Sequence, residues 1–211
     1  MHIVICANGV PAALPEIPPA DRIIAADGGA RLCQTLGARP HDLIGDLDSL
    51  TADEVARCAA RGVRIHRYPA DKDQTDLELA LELAVAETHP DRITVLGALG
   101  GRWDQTAANL LLLAHPRWRH WPIVLVDGNQ AVFALSGHGE VTGTVGDTVS
   151  LIAVGGDAHG VTTRGLAYAL RDGTIPFGAA LGVSNRLTAP RAEITVRQGV
   201  LLVVHISGAH H

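Results

Sequence analysis

The amino-acid sequence predicts an α/β N-terminal domain with a mainly parallel, Rossmann-like sheet over residues 1–127, followed by an all-β C-terminal sandwich domain over residues 128–211. Two observations carry this expectation. Up to Asp127, short apolar runs alternate with helix-length stretches, the pattern of βα units around a parallel sheet. Beyond it, 14 of the 23 glycines fall in the last 84 residues, and short β-rich runs replace the helical pattern.

The runs HIVICA, RIIAAD, HDLIGD, VRIHRYP, RITVLG and PIVLVD are short, apolar and rich in β-branched residues, and each reads as a strand. A helix is expected from Thr75, because Thr75 and Glu78 fit a capping box and Leu77, Ala80, Leu81 and Ala84 share one face. Thr51 with Glu54 opens another in the same way. The stretch from Asp104 to Ala114 is apolar on most sides, which predicts a buried helix. After PIVLVD ends at Asp127, the runs DTVSLIAV, RAEITVRQ and VLLVVHIS predict an antiparallel sandwich or barrel, with the boundary near Gly128.

Composition limits the function classes. With 211 residues and 47% hydrophobic content the chain can build a real core. A formal charge of −5 gives no footprint for a polyanion, so nucleic acid is not the expected partner. Cys6, Cys33 and Cys58 show no CxxC spacing, which points away from zinc and disulfides and toward a reducing cytoplasm. No uninterrupted apolar stretch reaches 18 residues and the N-terminus lacks a basic leader, so neither a membrane span nor a cleaved signal is expected.

In open α/β sheets, ligands gather at the carboxyl ends of the strands, and the unusual polar residues of this sequence fall there. Asn8-Gly9 follows the first run, Asp27-Gly28-Gly29 the second, and Asp46 and Asp48 the third. Asp71, Lys72, Asp73 and Asp76 follow the fourth, and Gly100, Gly101, Arg102, Asp104 and Gln105 the fifth. Seven aspartates on one edge would repel one another without a cation, and Mg2+ suits them as a hard ion that leaves places for phosphate oxygens. The alternative for any one of them is a helix cap, but the pairs Asp46 with Asp48 and Asp73 with Asp76 favour a metal role. Glycine pairs let backbone amides approach phosphate closely. Lys72, the sole lysine among 17 basic residues, and Arg102 are the cations beside these loops, placed to neutralise a moving phosphoryl group.

Missing motifs narrow the field further. The sole lysine is preceded by aspartate, so no P-loop exists, and no strand leads into GxGxxG. GxSxG and HExxH are also missing, the 11 histidines are scattered, and His210-His211 reads as a solvated tail.

In order along the chain, ADGGA, GDLDS, DKDQTD and GGRWDQTAAN resemble the motif series of the thiamine pyrophosphokinase family, and RGLAYAL with GVSN resembles its C-terminal signature. The resemblance implies transfer of a diphosphate from ATP to thiamine, giving thiamine diphosphate and AMP. It implies that Asp46, Asp48, Asp73 and Asp76 hold Mg2+ on the ATP phosphates with Asp71 in support, and that Lys72, Arg102 and the glycine loops steady the triphosphate. Asn8, Asp27 and Asp104 would line the site. The β domain would shape the thiamine site across a homodimer interface, with Ser184 and Asn185 contacting the aminopyrimidine. Two departures stand out: Gln105 replaces the family's usual histidine, and no tryptophan follows Trp121, so an aromatic stacking on thiamine from this domain must be Tyr168 or Phe177. A related pterin diphosphokinase, a metal-dependent phosphohydrolase and a non-catalytic nucleotide or thiamine sensor remain as alternatives.

Overall fold

The computed structural model describes residues 1–86 and 89–208; His210-His211 lies outside the described residues. The chain divides into two compact units, the first comprising Met1–Asn109 with Leu125–Gly128, the second Leu110–Val124 with the chain from Asn129 on.

Up to Gly128 the chain carries strands β1 (His2–Cys6), β2 (Arg22–Ala26), β3 (Asp42–Gly45), β4 (Arg64–Arg67), β5 (Arg92–Leu96) and β6 (Ile123–Asp127), with helices α1 (Gly29–Thr35), α2 (Ala52–Ala60), α3 (Asp76–Ala86) and α4 (Trp103–Leu112). The strand order is β6-β5-β1-β2-β3-β4. The pairs β5–β1, β1–β2, β2–β3 and β3–β4 are parallel. Ile3, Val4, Ile5 and Cys6 are all fully buried, so both faces of the central strand are covered. On one face Val4, Cys6, Ala25 and Leu43 form a core with Ala30 and Cys33 of α1. Helix α3 packs on β1, β2 and β3 and buries Leu77, Leu79, Ala80, Leu81 and Ala84.

Both expected capping boxes form. The Thr51 side chain accepts from the Glu54 amide while the Glu54 carboxylate accepts from the Thr51 amide, and Thr75 with Glu78 repeats the exchange. No helix joins β1 to β2, since Pro11, Pro15, Pro18 and Pro19 break any helical ladder between them. At the sheet edge, fully buried Asp42 on β3 holds Arg22 of β2 at 2.7 Å, Arg64 at 2.9 Å and His66 at 2.8 Å, the last two on β4.

Helix α4 corrects the expectation of a buried helix. Asn109 is its only buried residue, and Trp103, Ala107 and Leu111, spaced four apart, form a stripe on its exposed side. An apolar pattern marks a surface suited to a partner, and among the described residues nothing covers this stripe.

The second unit is built of antiparallel strands β7 (Gln130–Thr142), β8 (Thr148–Arg164), β9 (Gly173–Ile175), β10 (Asn185–Arg186) and β11 (Arg191–Ile206). Their order is β10-β8-β11-β7, with β9 on β8. Strand β7 escaped sequence reading because Gly137 and Gly139 interrupt its apolar alternation. RAEITVRQ and VLLVVHIS, expected as separate strands, are one strand with a register shift between Val196 and Leu201. Gly199 sits at the shift with φ +100, a conformation that L side chains rarely adopt. Leu135, Leu151, Val161, Ile194 and Leu201 are among the residues of its core.

Candidate active site

Three carboxylates converge beyond the ends of β2 and β3. Asp27, Asp46 and Asp76 each place an oxygen within 4.8 Å of the others. Asp27 follows β2 with φ +45, and Leu47 follows Asp46 with φ +64, so non-glycine residues hold the left-handed region beside two of the three carboxylates. Gly45 makes the convergence possible: a Cβ there would lie 2.8 Å from Asp76 Oδ1 and 3.3 Å from Asp27 Cβ. Asp76 reaches the site as the first residue of α3, fixed by the Thr75 capping box.

Lys72 bridges this group. Its Nζ lies 2.9 Å from Asp46 Oδ2 and 3.1 Å from Asp76 Oδ1. The contact to Asp76 is an ion pair outside hydrogen-bond geometry, so Asp76 Oδ1, like Asp27 Oδ1, is a buried oxygen with no hydrogen bond. The hydrogen bond from Lys72 holds the Asp46 carboxyl below the usual carboxylate range. Burial pushes Asp76 up, with Asp46 and Asp27 adding to the effect and Lys72 opposing it. Burial pulls the Lys72 ammonium down, but its contacts with Asp46 and Asp76 outweigh that and raise it.

The carboxylates open into a cavity of about 400 Å3. Of the residues expected at the site, Asn8, Gly9, Asp27, Asp46, Asp48 and Asp76 line it, joined by Gly100, Gly101, Arg102 and Gln105. Gly28 and Gly29 stand just behind. A Cβ at Gly28 would lie 2.1 Å from Asn8 Oδ1 and one at Gly29 1.9 Å from the Cys6 carbonyl, so both glycines let α1 approach β1. Asn8 in turn donates to Ser49 Oγ at 3.1 Å, and Ser49 donates to Asp48.

Asp71, Asp73 and Asp104 do not line the cavity. Asp71 and Asp73 are exposed on the loop before α3. Asp104 is exposed and pairs with Arg102, whose guanidinium holds the Asp104 carboxyl down. Sequence reasoning missed Ser49, Thr75 and Asn109, all of which line the cavity. The Thr75–Glu78 pattern marks only a cap, and the signal for Asn109 is an amide set in an apolar helical stretch.

A second cavity of about 250 Å3 lies between α1 and α2. Its one carboxylate, Glu54, is engaged by both Arg31 Nε and Nη2, and no strand-end residue reaches it. The chemistry therefore belongs to the larger cavity.

In the second unit, Asn185 is buried and its side chain is committed internally. Its Oδ1 accepts from the Tyr168 and Arg186 amides, both at 2.9 Å, and its Nδ2 donates to the Tyr168 carbonyl at 2.8 Å. Ser184 is exposed with φ +61, its amide donating to Ser150 Oγ. Tyr168 and Phe177 are both exposed.

A family model described as the catalytic domain of thiamin pyrophosphokinase matches residues 16–125. Another, described as the vitamin B1 binding domain of thiamin pyrophosphokinase, matches residues 140–201. Thiamine pyrophosphokinase of Bacillus subtilis (strain 168) is 33% identical over 184 residues, which cover 86% of this chain and 85% of that relative. The crystal structure of a thiamin pyrophosphokinase from Geobacillus thermodenitrificans is 30% identical and superposes with a TM-score of 0.86 over 99% of each chain. That of the Bacillus subtilis protein superposes with a TM-score of 0.84 at 28% identity, covering 98% of this chain and 99% of the other.

Proposed function

The chain belongs to the thiamine pyrophosphokinase family, and from that premise we propose how its residues perform the family's reaction. The enzyme transfers a diphosphate from ATP to the hydroxyl of thiamine, giving thiamine diphosphate and AMP. The thiamine oxygen bonds to the β-phosphorus, the bridge to the α-phosphate breaks, AMP leaves with the bridging oxygen, and the hydroxyl proton passes to solvent. Positioning and charge neutralisation carry most of such a transfer.

We assign ATP to the larger cavity. The observation that carries this is the pair of buried oxygens, Asp27 Oδ1 and Asp76 Oδ1, with no hydrogen bond, converging with Asp46. A group of hard oxygen donors held together in this way fits Mg2+. Asp27, Asp46 and Asp76 would hold the ion, with Asp48 alongside, and it would supply charge neutralisation at the phosphates. Asp73, one of the residues that sequence spacing favoured, becomes a loop residue in this reading. Lys72 does not itself line the cavity and acts through Asp46 and Asp76, which its ammonium holds in place. The glycine-rich turn at Gly100-Gly101 presents backbone to the triphosphate, and Arg102 stands at the rim with Asp104. Gln105 can hydrogen-bond but not carry a proton as histidine would.

The catalytic domain is read as residues 1–127, a Rossmann-like sheet, and the thiamine-binding domain as residues 128–211, which contain the matched vitamin B1 binding region. The register shift in β11 supports a sandwich, since it lets a 16-residue strand bend. Ser184 is assigned to thiamine directly, Asn185 to holding the Tyr168 backbone, and Tyr168 or Phe177 to stacking. A homodimer is supported by the uncovered stripe Trp103, Ala107 and Leu111. A cytoplasmic location is supported by three free cysteines.

The test is a coupled AMP assay with thiamine, thiamine monophosphate and a pterin alcohol. AMP release that requires thiamine and Mg2+ is expected. Release with the pterin alcohol and not with thiamine would overturn the reading.

A further inference from the structure

Asn109 is the one buried residue of α4, a helix whose other residues are partly or fully exposed. A buried amide on such a helix needs a partner, and it has one: Asn109 Nδ2 donates to the Ala98 carbonyl at 2.7 Å, with Ala98 itself buried. Ala98 lies inside the turn that follows β5, where Gly97, Gly100 and Gly101 all hold positive φ of +67, +83 and +74.

This turn packs backbone against backbone on the loop that follows β1. The Gly9 amide donates to the Gly97 carbonyl at 2.7 Å, and a Cβ at Gly9 would meet that carbonyl at 2.4 Å. A Cβ at Gly100 would meet the Val10 carbonyl at 2.1 Å. Three left-handed glycines have many alternative conformations when unrestrained, so a turn built from them needs an outside anchor to keep one shape. The neighbouring loop supplies one anchor through Gly9. Asn109 supplies the other, from a helix that begins two residues after the turn ends.

We propose that Asn109 is a positioning residue for ATP: its hydrogen bond to the Ala98 carbonyl fixes the Gly97–Gly101 turn in the shape that receives the triphosphate. It does so without providing charge to the phosphates. The proposal rests on the assignment of ATP to this cavity.

The test uses the full-length enzyme with Asn109→Ala, which removes the donor, and Asn109→Asp, which sets a carboxylate oxygen against the carbonyl. Ala108→Ser, on the exposed side of the same helix, is the control. The Michaelis constant for ATP is expected to rise at least tenfold in both Asn109 variants, with that for thiamine changing less than twofold. Amide exchange of residues 97–101 is expected to slow on adding α,β-methylene-ATP to the wild type and to slow far less in Asn109→Ala. Lower kcat with both Michaelis constants unchanged means a purely structural residue and overturns the proposal. If Asn109→Asp fails to fold, Asn109→Ala and its exchange readout decide alone. Wild-type protection reproduced in Asn109→Ala overturns the role of Asn109 and leaves the ATP site standing. No protection of the turn in the wild type overturns the ATP assignment and the proposal with it.

Discussion

The Lys72 ammonium lies 2.9 Å from Asp46 Oδ2, and the only lysine of the chain thereby sits where the carboxylates of Asp27, Asp46 and Asp76 converge. Its position replaces part of the cation charge that the cluster needs. Lys72→Met is therefore expected to lower the melting temperature without Mg2+ and to show a larger gain on adding Mg2+ than the wild type. A thermal melt with and without the ion reads this directly, and equal gains would show that lysine and metal do not share the site.

Asp76 and Asp73 stand three residues apart, yet only Asp76 joins the convergent group. Asp76→Asn is expected to reduce turnover by roughly 10² or more, the scale for removing one preorganised electrostatic group. Asp73→Asn is expected to stay within about tenfold of the wild type, as for a residue outside the group. Circular dichroism of both variants checks that the fold is retained. Reversed severities would restore the spacing-based choice of Asp73 as a metal ligand.

Asp42 is fully buried, and the Arg22 that it pairs with is nearly so. Burial alone would raise the Asp42 carboxyl, but its hydrogen bonds with Arg22, His66 and Arg64 hold it below the usual range. Asp42→Ala removes the carboxylate from a buried guanidinium and is expected to destabilise the fold by roughly 3–5 kcal/mol, measured by urea unfolding. A loss below about 1 kcal/mol would mean that water reaches Arg22 and screens it.

In the second unit Asp147 is held at about 2 by the Gly208 and Thr144 amides, with His205 Nε2 at 3.0 Å adding to them. A carboxyl whose folded value is depressed stabilises the fold above its unfolded value of about 4 and loses that contribution as the pH falls toward about 2. The melting temperature is expected to fall between about pH 4 and pH 2. Asp147→Asn should flatten that part of the profile, and an unchanged slope would assign it to other carboxylates.

The legible parts of the fold were those with a local cause. All six N-terminal strands, and the capping boxes at Thr51 and Thr75, follow from residue order within a few positions. Strand β7 was not legible because Gly137 and Gly139 erase the alternation that marks a strand. Helix α4 was legible as a helix but not as an exposed one, because apolar periodicity is the same whether or not a partner surface exists. The site divides similarly. Its residues could be listed, since strand ends mark where ligands gather, whereas the choice among the aspartates could not.

By itself the sequence determined the order of the six N-terminal strands, the family, and the reaction that belongs to it, because these rest on patterns and motifs that are contiguous in the chain. Only the tertiary structure decided that Asp27 joins Asp46 and Asp76 while Asp73 does not, that Lys72 lies among them, and that Asn109 anchors the Gly97–Gly101 turn. Each of those depends on angstrom-scale approach between side chains and backbone that no local sequence pattern relates, as when Asp27, Asp46 and Asp76 meet from three separate segments. That approach is set by a few permissive positions, such as Gly45 and Gly9, whose missing Cβ atoms leave room for a neighbour that the local sequence does not name.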